Sequence, residues 1–557
     1  MRKGLFTILM ALCTVLGCRA QVQGPTVEPV RFKDGTVADP GEAGRLAEAW
    51  DAHLRLAGEA KGQSGEAQDG EGADTDRFRP GHTQEAGGRI LAELDYKVRE
   101  IVGEDGLAGL LDKDPLRVET VIEETDTLLI IKHISAFVRL ALSDLPAGGH
   151  IDRIDLVPMY GGITETALID LESGAVEPVT GAEVLTFTVD RDIPDSGELV
   201  LWTTFAPQNP GAIALIVHET AGILTARIAE AELQGGMASR WDARCLLPME
   251  TETGITARPL MQKALTGIGA GGYSGIAYIG GDNYAVVDDN LPGSGILQFR
   301  IPIAENGNVG VASMLVTEGA ASGSKRDGEG IAFVPSSASY YVSSETHQEI
   351  REYNLLGQET GNALRVPEDL SAAKVDANRG FEALTYNENT GLYWTTTESP
   401  LNRDTFLPRI LRLQAFDADG NPAGRYLYQT ESPSVPDASK AQAYVFGVPA
   451  MAALDDGRLV ILEREVYVPG GGFLEKLRDS FTRMNLYVVD PAADGAGILR
   501  KGLLCTFTTG ALDLANYEGM CLGPTLGDGR RCLVLIADSQ QGSGGLVQEY
   551  VKVILLR

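Results

Sequence analysis

The C-terminal part of the chain repeats itself, and this repeat restricts the possible fold more than any other feature. From about Arg258 onward five segments align: YSGIAYIGGDNYAVVDD, GEGIAFVPSSASYYVSSE, GFEALTYNENTGLYWTTTE, GVPAMAALDDGRLVILE and NYEGMCLGPTLGDGRRCLVLIAD. Each holds a small Gly-flanked motif, a strand, a turn and a second strand ending in an acid. Taking Ser274, Glu329, Glu382, Pro449 and Glu518 as the equivalent first position, the successive spacings are 55, 53, 67 and 69 residues. A four-stranded propeller blade takes about 40 to 50 residues. The repeat therefore predicts blades with loop insertions, and about 300 residues at this period predict a five- to seven-bladed β-propeller.

In such a ring, one sequence position recurs around a central channel, so the acids acquire meaning. The second strands end at Asp289, Glu345, Glu398, Glu463 and Asp538, and three openings carry Glu329, Glu382 and Glu518. Two rings of carboxylates around one mouth would repel each other and have raised pKa values. A hard cation such as Ca²⁺, or an Arg partner, would relieve this. The competing expectation is that these acids cap turns and lock neighbouring blades. Arg326 and Arg379 each lie three residues before an opening Glu; they are candidates for binding phosphate bidentately, or else for plain salt bridges.

Other catalytic schemes find little support. Of six histidines only His347 falls in the repeat region, which excludes a multi-histidine zinc site there and leaves a Ser-His-acid triad possible only through His347. No G-x-S-x-G elbow and no RHGxRxP motif occurs. FDADGNPAG, with Asp417, Asp419 and Gly420, lacks the third ligand and the distal Glu of a calcium loop and reads as a hairpin turn, as does LDDGRL with Asp455 and Asp456.

The openings SGIAY, GEGIAF and YEGMCL, together with GFEALTYNENTGLYWTTTE, resemble the phytase-like (esterase-like activity of phytase) family over roughly Met261 to Leu556. The Pro449 opening departs from its [SE]-G-[ILM] pattern. The resemblance implies a propeller that hydrolyses esters or phosphoesters. With the residues available, the expected chemistry is metal-assisted attack of water, with Glu329, Glu382, Glu518, Arg326 and Arg379 as catalytic candidates. Asp289, Glu345, Glu398, Glu463 and Asp538 are the candidate ligands of a Ca²⁺.

The N-terminal part reads differently. Arg2 and Lys3 precede an apolar run from Leu5 to Gly17, a secretory signal too short to span a bilayer. Val15-Leu16-Gly17-Cys18 resembles a bacterial lipobox and makes Cys18 the expected lipidation site, after a signal over residues 1–18. A membrane partner through this lipid, at the outer membrane or cell surface, follows as an expectation. Residues 19–89 read as a low-order tether with one short helix marked by Leu46, Trp50 and Leu54; no Leu, Ile or Val occurs between Leu56 and Ile90. Residues 90–250 show period-2 alternation in LLIIKHISAFVRLAL, HIDRIDLVPM, EVLTFTVD, ELVLWTTFAP, AIALIVHET and ILTARIAEAEL, which predicts a β-sandwich. Through IKHISAFVRLAL, IDRIDLVPM, LVLWTTFAPQ and LQGGMASRW this block resembles fimbrillin-like surface lipoprotein domains, which implies adhesion or display.

The sequence thus predicts an all-β chain, an N-terminal sandwich followed by a propeller over residues 258–557. Its expected substrate is a small-molecule ester or phosphoester. The alternative is a non-catalytic surface module that uses the propeller to recognise a protein or glycan. A net charge of −30, from 47 basic and 77 acidic residues, argues against nucleic acid as a partner. Cys521 and Cys532 flank a turn between neighbouring strands, leaving a disulfide or two buried thiols open.

Overall fold

The computed structural model describes residues 21–22, 26–38, 84–86, 89–96 and 100–557, apart from 115, 123–125, 171–174, 221, 248–251, 316–325, 373–374, 376–378, 402–408, 494–496, 511 and 540–547. Cys18 and the helix expected around Leu46, Trp50 and Leu54 lie outside these residues. The chain divides into two compact units, one running to Cys245 and one from Leu246 to Arg557, with Ile223–Arg227 grouped with the second.

In the N-terminal unit one sheet runs in the order Leu185–Asp192, His150–Pro158, Gln208–Glu219 and Gly222–Leu233. A second runs Arg31–Phe32, Met237–Arg244, Ala136–Ser143, Leu199–Phe205 and Val102–Gly103. Leu185, Phe187 and Val189 are buried while Thr186, Thr188 and Asp190 between them are exposed, as one dry face and one wet face require. The dry faces meet through aromatic rings: Phe187 of the first sheet stands edge-on to Phe205 of the second at 6.1 Å, and Phe205 packs on Trp241 at 5.6 Å. Val30 and Phe32, from the stretch read as a tether, are buried with Leu107, Phe137 and Trp202 in this unit. Two isolated apolar residues carry no periodicity, so pattern reading passed over them.

Among the described residues the second unit builds five sheets in succession. Their innermost strands are Tyr273–Gly280, Gly328–Val334, Phe381–Asn387, Ala441–Ala453 and Asn516–Thr525. Each inner strand touches the next, and the fifth touches the first, so the ring is closed. In the first four sheets the strands follow in chain order from inside to outside. The fifth is completed from elsewhere in the chain: Tyr550–Leu556 pairs on one side with Arg531–Asp538 and on the other with Ala257–Pro259, in the register Ala257↔Leu556. The beginning of the unit therefore supplies the outer strand of its last sheet and fastens the ring.

Five apolar cores fill the five gaps between sheets, one of them formed by Ala277, Val287 and Ile296 of the first sheet against Ile331, Tyr340 and Val342 of the second. Tyr284, Tyr340 and Tyr393, five residues before the strand-end acids, belong to these cores.

The small residue of the opening motif has a steric cause. A Cβ on Gly330 would sit 2.5 Å from the Glu382 carbonyl oxygen and 2.6 Å from the Leu384 nitrogen, and one on Gly275 would sit 2.4 Å from the Glu329 carbonyl oxygen. Inner strands approach this closely because they converge on the axis, and backbone cannot yield as a side chain can. Gly330→Ala should therefore lower stability by about 1–3 kcal/mol, the usual cost of overpacking, as measured by chemical denaturation; an unchanged midpoint would contradict this account of the motif.

Candidate functional site

Antiparallel pairing places the end of each second strand beside the opening of its inner strand. Tyr273 pairs with Asp288, Gly328 with Ser344, Phe381 with Thr397 and Asn516 with Asp538. All four of these sheets therefore bring an acid to the same end of the ring: Asp289, Glu345, Glu398 and Asp538. The axial channel below them is lined by Ser274, Glu382, Pro449 and Glu518, with Gly275, Gly330 and Gly519 between. Its empty space is about 180 Å³, open solvent included, which suits a few waters or an ion better than a large ligand.

The fourth sheet departs from the expected register. A bulge between Gly447 and Ala450 pairs Gly447 with Arg464 and Ala450 with Leu462, so Arg464, not Glu463, reaches the mouth. Glu463 points away and is satisfied there by the Tyr428 hydroxyl at 2.5 Å, the Glu431 backbone N–H at 2.9 Å and Lys501 Nζ at 2.8 Å. The expectation that Glu463 joins the ring of acids is corrected accordingly. A signal for this was present: from opening to strand end the first three repeats count 15, 16 and 16 residues, and Pro449 to Arg464 counts 15 whereas Pro449 to Glu463 counts 14.

Arg464 has only 4% of its side chain exposed and joins the two rings. It donates from Nη2 to Glu398 at 2.6 Å and from Nη1 to Glu518 at 2.5 Å and Asn516 Oδ1 at 2.9 Å. Burial alone would lower its pKa, but Glu518, Glu398 and Glu382 hold it above even the ordinary arginine value. The two sequence-chosen arginines sit elsewhere. Arg326 is paired with Glu349 at 2.7 Å and Glu359 at 2.5 Å on the outer strands of its own sheet. Arg379 is exposed, donates to Ser399 Oγ at 3.2 Å, and lies near enough to Glu398 to help hold that carboxyl charged.

Burial raises the pKa of four glutamates at the mouth. Glu329 is buried, and burial followed by the charges of Glu518, Asp289 and Glu345 pushes its pKa well above the carboxylate range, against a hydrogen bond from Ser274. Glu382, which lines the channel, is raised by burial first and then by Glu329, Glu398, Glu345 and Glu518. Glu345 is pushed up to about 7 by burial and by Asp327 and Glu398; the Gly380 N–H and a carboxyl–carboxyl hydrogen bond with Glu382 oppose this. Glu398 is likewise raised by burial, with Arg464 opposing.

One corner gathers possible metal ligands: an oxygen each of Asp289, Asp327 and Glu329 lies within 4.8 Å of the others. Asp327 was not among the sequence candidates, although it stands in the RDGE run two residues before Glu329. Its φ of 56° is unusual for a side-chain-bearing residue and turns the chain at the mouth. Their hard oxygen donors fit Ca²⁺ by donor type.

His347 lies exposed on the turn after Glu345, with Nδ1 3.1 Å from Ser344 Oγ. The Ser344 hydroxyl donates to the Arg326 carbonyl at 2.6 Å, so its proton is already committed. Cys245, Cys505, Cys521 and Cys532 are free, and Cys521 pairs across its strand with Val534, not Cys532, which settles the open cysteine question in favour of thiols. Asp417 and Asp456 accept backbone N–H bonds within their own hairpin turns.

A closed ring of radial sheets with an acidic axial mouth defines a β-propeller. The family model described as Phytase-like, esterase-like activity of phytase, matches residues 268–540, a little under half of the chain. Among solved structures the chain is similar to one titled Nidogen/Laminin Complex, at 13% identity and a TM-score of 0.25, covering 60% of this chain and 89% of that one. It is also similar to the β-propeller domain of Cps50 (Swd1) from Myceliophteria thermophila, at 9% identity and a TM-score of 0.24, covering 53% and 99%. Likeness at this level bears on neither substrate nor activity. No curated protein matches the chain.

Proposed function

We propose that the propeller is a hydrolase of phosphoester or carboxylic ester bonds that works at its acidic mouth. The convergence of Asp289, Asp327 and Glu329 carries this reading, and the phytase-like match agrees with it. These three residues would hold a Ca²⁺, which when bound would neutralise ester oxygens and acidify a coordinated water. Glu345 and Glu382, whose carboxyl pKa values burial raises, would serve as general acid and base. Arg379, exposed at the rim, would meet the anionic part of a substrate. Cys18 would carry a lipid and tether the chain to the cell envelope, and the sandwich would serve display or adhesion as fimbrillin-like domains do.

The test is release of phosphate or alcohol from phytate, p-nitrophenyl phosphate and p-nitrophenyl acetate by residues 19–557, with added Ca²⁺ and after exhaustive chelation. Turnover with calcium that chelation abolishes is expected; turnover that persists without metal would sink the metal-assisted scheme. The narrowness of the channel favours a second reading, a binding module whose buried acids are structural. Inactivity on the whole panel would favour it.

A further inference from the structure

In the N-terminal unit, His150 opens a strand that leaves register with both of its neighbours at one place. Ile151 pairs with Arg191 and Arg153 with Thr188, so Val189 and Asp190 together oppose Asp152. On the other side Ile151 pairs with Glu219 and Arg153 with His218, so Asp152 bulges out of the ladder. Bulges of this kind re-aim side chains. Asp190 is held at a φ of 47°, a conformation that strains an L residue and persists only where the surroundings fix it.

The bulges gather three carboxylates around one imidazole. His150 Nδ1 lies 2.8 Å from Asp192 Oδ1, and Nε2 lies 3.1 Å from Asp190 Oδ1 and 3.9 Å from Asp152 Oδ1. A neutral imidazole has one N–H, so it donates to one side and turns a lone pair toward the carboxylate on the other. Only the imidazolium donates to both. The His150 side chain is 33% exposed, which leaves it open to exchange its proton with water. The other charged groups of these strands are turned elsewhere. Arg153 and His218 meet Asp155 at 3.5 and 2.7 Å, the Arg191 guanidinium lies beside Gly103, and Glu219 is buried with its carboxylate beside Gly149.

We infer that His150 is a pH-responsive clamp: its imidazolium ties the start of His150–Pro158 to the end of Leu185–Asp192 through Asp190 and Asp192, and loss of that proton releases this end of the sheet. The backbone bonds that close the adjoining loops lie at the same end. Ile193 N–H donates to the Gly149 carbonyl at 2.7 Å, Gly148 N–H to the Ile193 carbonyl at 3.3 Å and Thr220 N–H to the His150 carbonyl at 3.1 Å. Asp192 first, and then Asp190, raise the His150 pKa above its ordinary value, against a smaller opposing effect of burial. A group raised in this way stabilises the fold fully below its unfolded-state pKa, and that contribution is lost as pH rises through the folded-state value. The clamp is therefore closed below about pH 6.5 and opens above it. This holds whatever chemistry the propeller performs.

Two measurements on the mature chain test the clamp. In protein labelled with ¹³C-histidine, the resonance that His150→Gln removes should titrate above about pH 6.5, and Asp192→Asn should lower its midpoint more than Asp190→Asn does. Hydrogen exchange read by mass spectrometry on peptides spanning 145–152 and 189–197, corrected for the intrinsic effect of pH, should be about two- to fivefold faster at about pH 8.5 than at about pH 5.5, the scale set by an exposed ion pair. In His150→Gln, whose side chain does not titrate, protection should be equal at the two pH values. A His150 midpoint at or below the ordinary value, equal protection at both pH values in wild type, or a pH effect that His150→Gln retains would each overturn the inference.

Discussion

With Glu382 replaced by Gln, ester hydrolysis should fall about 10²- to 10⁴-fold, the usual contribution of a general acid or base, while the fold becomes more stable at alkaline pH. The two effects share a cause. Burial and four neighbouring carboxyls raise the Glu382 pKa well above the ordinary value. The native state then holds a proton that the unfolded chain releases above about pH 4.3. Where the native state binds more protons, stability falls as pH rises. Glu345, pushed to about 7, and Glu329 act in the same direction. Without divalent cations the melting temperature of wild type should therefore decline from about pH 4.5 through pH 7 and beyond. Gln has the shape of Glu382 and no charge to bury, so the variant should decline less steeply and melt above wild type at pH 8. The shift should amount to on the order of 2–4 °C per kcal/mol relieved. Calorimetric scans at several pH values with chelator present measure this; a variant that melts lower than wild type at every pH would refute the charge-repulsion account.

Deleting 550–557 should abolish the folded propeller altogether. Val551, Val553, Ile554, Leu555 and Leu556 of this strand are all buried. At about 1.5–3 kcal/mol for each buried side chain, their loss is comparable with the whole stability of a typical domain, about 5–15 kcal/mol. The loss is also topological. Among the described residues Ala257–Pro259 and Lys263–Ala264 pair only with this strand, so its removal opens the ring and leaves Arg531–Asp538 as a bare edge. Ile554→Asp, which places an unpaired charge in the same core, should fail in the same way. Limited proteolysis and circular dichroism check both variants, and a cooperative melt at the wild-type temperature in the truncated chain would contradict the closure.

How much of this was readable in advance depends on whether the feature is local. The Gly after Ser274, Glu329 and Glu518 stands out in the sequence because a steric demand, backbone against backbone, recurs in three of the five repeats. The alternation of Leu185, Phe187 and Val189 is equally plain, since a strand with one dry face must show period 2. Glu463 was misplaced because a bulge adds residues to one strand without any mark in composition, and a one-residue shift turns the side chain to the other face. Arg326 resembled Arg379 in its spacing to the opening Glu, yet Glu349 and Glu359 come close to it only once the outer strands of the second sheet are paired.

The sequence by itself determined the repeat, the strands and the end of the ring at which acids collect. Those follow from local sterics and from the two-residue period of a strand, which act over a few residues. Only the tertiary structure decided which carboxyls meet. Asp327 joins Asp289 and Glu329 across two sheets, Glu345 meets Glu382 across the next pair, and a single bulge puts Arg464 between Glu398 and Glu518. These contacts join residues tens of positions apart, and their distances are set by ring closure and strand register, neither of which any short stretch of sequence encodes.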